Sequence, residues 1–86
     1  MTTQPYDFSS ALRLLWATLD IDGGELAARF GVSRRALDYW LSRRGLPRSW
    51  TLYRAMLKTT DPAVSAFCRN AIQQMMPDLF PRSNNL

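Results

Sequence analysis

The sequence predicts an all-α fold, a compact bundle of about five short helices. Three observations carry that expectation. Apolar residues recur at helical spacing almost throughout, helix-capping signals punctuate the chain at short intervals, and no stretch alternates apolar and polar residues as a strand does. The 86 residues are enough for one domain, expected over 1–80, with 81–86 as a flexible polar tail. Nearly half the residues (47%) are apolar, while the 4 Gly and 5 Pro fall between the periodic segments, a globular composition with short connections.

The first helix is expected from about Ser10 to Asp20, with Leu12, Leu15, Trp16 and Leu19 on one face and Ser9 or Ser10 as its cap. Asp22-Gly23-Gly24-Glu25 reads as a turn into an N-cap, with Asp22 and Glu25 spaced as in a capping box. A short second helix follows, about 24–30, burying Leu26, Ala27 and Phe30. Gly31 supplies a left-handed stop, and Ser33 caps a third helix over about 34–43. There Leu37, Trp40 and Leu41 face inward and Arg34, Arg35, Asp38, Tyr39 and Ser42 outward. Gly45-Leu46-Pro47 opens a loop, and Ser49 is the candidate cap of a fourth helix, about 50–60, burying Leu52, Ala55 and Met56. Asp61-Pro62 starts a fifth, about 62–76, with Val64, Phe67, Cys68, Ala71, Ile72 and Met75 at helical spacing and Pro77 as its stop.

The formal charge is +4, and its distribution is uneven. Between Arg29 and Lys58 there are eight basic residues against the single acid Asp38, a net of +7. Residues 1–28 hold Arg13 against Asp7, Asp20, Asp22 and Glu25, a net of −3. A positive pole in mid-chain favours a polyanionic partner; a merely solvated basic face is the alternative. With one cysteine and no histidine, an internal disulfide and a Cys/His metal site are excluded, and no cofactor or metal is expected. Cys68 lies on an apolar stripe and no carboxylates pair recognisably, so an enzyme is not expected. There is no membrane-length apolar run and no signal-peptide pattern. The expected compartment is the cytoplasm, on the nucleoid if the chain binds DNA.

Residues 23–43 read Gly-Gly-Glu-Leu-Ala-Ala-Arg-Phe-Gly-Val-Ser-Arg-Arg-Ala-Leu-Asp-Tyr-Trp-Leu-Ser-Arg. A small residue at Ala27, glycine at Gly31, and apolar residues at Leu26, Phe30, Val32, Leu37 and Trp40 are what two short helices need to cross steeply over a tight turn. The segment resembles the DNA-binding helix-turn-helix of Cro-like and lambda-repressor-like regulators. Within that group, Tyr39-Trp40-Leu41-Ser42, the proline-containing loop and Thr51-Leu52-Tyr53 resemble small anti-CRISPR-associated repressors. The resemblance implies a four- or five-helix domain whose second motif helix enters the major groove. Arg34, Arg35, Asp38 and Tyr39 are then the base-contacting candidates. Arg34 or Arg35 would pair with guanine, and Tyr39 would meet a thymine methyl or a phosphate. Asp38 would accept from cytosine or brace an arginine. Ser33, Ser42, Arg43, Arg44 and Arg48 flank the helix as phosphate contacts, and Gly23 and Gly24 would let a phosphate approach the preceding helix.

The resemblance further implies a repressor of phage or plasmid type that binds an inverted repeat as a homodimer and silences its own operon. Met75, Met76, Leu79 and Phe80 are the first candidates for the dimer surface, although they could instead fold back over the core. Trp50 is the second. No small-molecule ligand or membrane partner is expected. The rival expectation is a protein-interaction module, such as an antitoxin or polymerase-binding adaptor.

Overall fold

A computed structural model describes residues 6–75. Five helices follow one another: α1 (Phe8–Leu19), α2 (Gly23–Phe30), α3 (Arg34–Leu41), α4 (Ser49–Lys58) and α5 (Pro62–Met75). Among the described residues there is no strand, and none of the helices is long and apolar enough to cross a membrane.

Local hydrogen bonding accounts for most helix ends. Asp22 accepts from the Glu25 amide at 2.8 Å, while the Glu25 carboxylate pairs with Arg29, so half of a capping box forms. Gly31, at φ 72°, ends α2: its amide donates to Ala28 O, and the Val32 amide donates to Ala27 O. Those two bonds make a Schellman closure, which needs a left-handed residue at the glycine position. Ser33 accepts from the Ala36 amide and starts α3. Asp61 accepts from the Ala63 amide, and Pro62 opens α5.

Several boundaries differ from the sequence expectation, some by a single residue. Helix α1 begins at Phe8 because Asp7, not Ser9 or Ser10, is its cap, accepting from both the amide and the hydroxyl of Ser10. Ser9 is buried, and its hydroxyl donates to Leu41 O on α3. Helix α3 stops at Leu41 rather than near 43, because Arg43 takes a left-handed conformation at φ 63°. The Arg43 and Arg44 amides then close on Trp40 O and Tyr39 O, the same closure as at Gly31 but built on an arginine. Ser49 lies inside α4, which starts after Arg48 with no side-chain cap and ends at Lys58, short of the expected 60.

The core joins all five helices. Leu12, Leu26, Leu37, Leu52, Val64, Cys68, Ala71 and Ile72 are fully buried. Four aromatic rings tie α3 to its neighbours. Trp40 meets Phe8 of α1 edge-on at 5.9 Å and Phe30 of α2 at 6.3 Å. Phe67 of α5 completes the cluster at 5.5 Å from Phe8 and 5.8 Å from Phe30. All but the tilted Phe8–Phe67 pair are edge-to-face, a geometry that adds to the burial of the rings themselves. Phe8, which the periodicity left outside α1, is therefore central to the core.

Candidate nucleic-acid interface

The inward residues of α3, Leu37, Trp40 and Leu41, are buried and Ala36 packs beside them, which leaves the polar side chains of this two-turn helix to face out. Arg34, Arg35, Asp38 and Tyr39 are all exposed, as are Ser33, Ser42, Arg43, Arg44 and Arg48. Arg35, Asp38, Tyr39, Ser42 and Arg44 line one open concavity on that face.

The arginines there have different surroundings. Arg34 donates through Nε to Asp38 at 3.0 Å, and its guanidinium lies 5.6 Å from the centre of the Trp16 ring. It also lies against Gly23, where a side chain would come within 2.7 Å of Arg34 Nη2. Gly23 is buried and the space beside it is filled by Arg34, whereas Gly24 is exposed and meets no Arg34 atom. Arg35 has no ion pair among the described residues, and neither do Arg44, Arg48 and Lys58. Tyr39 packs its ring against Gly45, where a Cβ would stand 2.7 Å from the phenol oxygen. The missing side chain at Gly45 thus leaves room for the Tyr39 ring.

Arg43, although exposed, is engaged within the chain. Its Nη1 donates to both carboxylate oxygens of Asp7 at 2.7 Å, and its Nη2 to Ser10 Oγ at 2.9 Å. Ser42 Oγ donates to Tyr39 O of its own helix. Arg13, and Ser9, which the sequence offered only as a helix cap, both donate to Leu41 O, Arg13 at 2.6 Å and Ser9 at 3.0 Å. Two cations, Arg13 and Arg43, therefore sit at the C-terminus of α3, where the helix dipole is negative. The α1 face thus holds the end of α3, and with it the angle of its exposed side. Arg29 is anchored by Glu25 at 3.0 Å and by Asp61 at 2.6 Å, and the Arg29 bond, with the Ala63 and Val64 amides, holds the Asp61 carboxyl below its usual range.

The Asp7–Arg43 pair gives a pH prediction. The Arg43 guanidinium, with help from the Ser10 amide and hydroxyl, lowers the Asp7 carboxyl from 3.8 to about 2. A depressed folded-state value means that the pair's stabilisation is fully present above the unfolded value and is lost as pH falls through about 2. Asp7→Asn keeps a capping oxygen but removes the charge. Its melting temperature should lie below that of the parent at pH 6, and the gap should close as melts approach pH 2. A gap independent of pH would show that the ion pair contributes nothing.

Of the eight basic residues between Arg29 and Lys58, Arg29, Arg34 and Arg43 are matched by acids, and Arg54 stacks on Trp50 at 4.6 Å. The remaining positive charge includes Arg35 and Arg44, on either side of Tyr39. Burial pushes the Cys68 thiol up to about 12, so it is neutral at pH 7. No group of three potential metal ligands occurs among the described residues. Of the dimer candidates, Met75 is half-buried against the core and Trp50 is exposed, while Met76, Leu79 and Phe80 lie outside the described residues. No family model, curated protein or solved structure matches the chain.

Proposed function

We propose that the chain is a sequence-specific double-stranded DNA-binding transcriptional regulator, with α2 and α3 as a helix-turn-helix and α3 as the helix that enters the major groove. The observation that carries this reading is the outer face of α3. Arg35, Tyr39 and Arg44 surround one open concavity, and the only acid there, Asp38, is bonded to Arg34. A free guanidinium at the start of an exposed helix is what a guanine edge needs, since its fork donates to O6 and N7 together. Arg35 is the residue assigned to that contact. Arg34, held by Asp38 and Trp16, stiffens the start of the helix. Arg44 and Arg48 reach phosphates, while Arg43 holds α3 to α1.

One recognition helix spans only a few base pairs, so two copies on an inverted repeat are required for a specific site. Blocking polymerase at such a site makes repression the simplest mechanism for so small a domain. Selection of bound fragments from random duplex DNA, followed by titration at rising salt, tests the reading. A two-fold symmetric site should emerge, and affinity should fall by orders of magnitude as salt rises. Failure to retain any duplex at low ionic strength would sink the proposal and leave a protein-interaction role for this face.

A further inference from the structure

We propose that Ser9 and Arg13, on α1 and outside the helix-turn-helix, are positioning residues for base reading. Together they stop α3 at Leu41, and the stop fixes where Arg35 stands relative to Arg44 and Arg48. Their role rests on the DNA-binding reading of α3, but neither side chain has to touch DNA.

The last four carbonyls of an α-helix find no amide inside that helix. In α3 they belong to Asp38, Tyr39, Trp40 and Leu41. Three are met by the chain that follows. The Ser42 amide donates to Asp38 O at 2.9 Å, the Arg43 amide to Trp40 O at 3.2 Å and the Arg44 amide to Tyr39 O at 3.3 Å. In a helix that ran on past 43, Leu41 O would accept from the Gly45 amide four residues later. Instead it accepts from Arg13 Nη2 at 2.6 Å and from the buried Ser9 hydroxyl at 3.0 Å. Positions 9 and 13 lie one turn apart on the same face of α1, so both side chains reach one atom. A carbonyl oxygen has two lone pairs, and here both are engaged, which leaves no place for a further helical turn.

The stop governs what lies on either side of it. Before it, Arg35 projects from α3. Beyond it, the chain reverses at Arg43, at φ 63°, and carries Arg44 and Arg48 towards α4. The two kinds of contact differ in tolerance. A guanidinium fork on a base edge needs two aligned bonds, and a displacement of about 1 Å spoils them. A phosphate is met by charge and accepts the same displacement. Asp7 and Ser10 anchor the Arg43 guanidinium separately, so α1 and α3 stay joined when Leu41 O loses its donors.

Ser9→Ala combined with Arg13→Met removes both donors. In the free protein, amide hydrogen exchange at Ser42, Arg43 and Arg44 should become at least ~5-fold faster. The ratio of selected to random duplex affinity should fall ~5- to 10-fold, the lower part of what one base contact supplies, with an unchanged salt slope. Arg13→Lys keeps a charged donor and should recover most of that ratio. Ser9→Ala alone, a buried change with no charge, should lower the ratio in the same direction. Equal losses on both duplexes with a salt slope reduced by about 1 would make Arg13 a phosphate contact and overturn its positioning role. A parental ratio in the double variant would overturn it too, whatever happens to the melting temperature. Unchanged exchange in the free variants would refute the stop itself, even if the parent binds DNA. A parent that retains no duplex, with exchange accelerated as expected, would refute the DNA reading and leave Ser9 and Arg13 as a helix stop only.

Discussion

Replacing Trp40 with alanine should cost ~3–5 kcal/mol, the usual penalty for emptying a large aromatic site in a core. A chain of this size has roughly 5–10 kcal/mol of stability in all, so the variant should lose a large share of it and melt well below the parent. The reason lies in what the indole touches. Trp40 is 5% exposed and meets Phe8 and Phe30 edge-on, and those rings in turn meet Phe67. Removing it strips one side from a cluster that joins α1, α2, α3 and α5, and a helix of 8 residues has little stability of its own to offset the loss. Trp40→Phe keeps an aromatic edge and should be much milder. Leu14→Ala is the control: Leu14 is 69% exposed, and its truncation should change stability by less than ~0.5 kcal/mol. Urea denaturation followed by circular dichroism reads all three. Equal, small losses for Trp40→Ala and Leu14→Ala would mean that the ring cluster does not hold α3.

What the sequence made legible follows from the range of the interactions. Asp22, Gly31, Ser33 and Asp61-Pro62 act within three or four residues of themselves, and each sits where its chemistry placed it. The inward face of α3 was legible for the same reason, since Leu37, Trp40 and Leu41 declare it by spacing alone. Exposure of Arg34, Arg35, Asp38 and Tyr39 is its complement. The larger errors involve long-range contacts, although the Asp7 cap itself acts on Ser10 only three residues away. Asp7 takes the cap from Ser9 and Ser10 while also meeting Arg43, 36 residues away, and no local pattern announces that pair. Arg43 shortens α3 by adopting a left-handed conformation, which is normally signalled by glycine. Its guanidinium bonds to Asp7 and Ser10 are the compensation visible in the fold. Likewise, the choice between Arg34 and Arg35 depends on Trp16 and Gly23, which lie on other helices.

That distinction sets the largest expected functional effect. If Arg35 reads a base, Arg35→Ala should lower affinity for the selected duplex by ~10- to 100-fold, equivalent to 1–3 kcal/mol of lost discrimination, with a much smaller loss on random duplex. The preference at one base pair of each half-site should relax. Arg44 lies on the same concavity but beyond the end of α3, where a phosphate contact carries charge without sequence. Arg44→Ala should therefore weaken selected and random duplexes by similar factors and lower the salt slope by about 1. Arg34→Ala separates reading from bracing. It frees the Asp38 carboxylate to face the phosphates, so binding to every duplex should fall, most steeply at low salt where repulsion is least screened. Lys at position 35 keeps the charge but not the fork, so Arg35→Lys should restore affinity for random duplex while leaving most of the discrimination lost. The decisive comparison is the ratio of selected to random affinity across the four variants. An unchanged ratio in both Arg35 variants would remove base reading from this residue, even if each bound DNA less tightly.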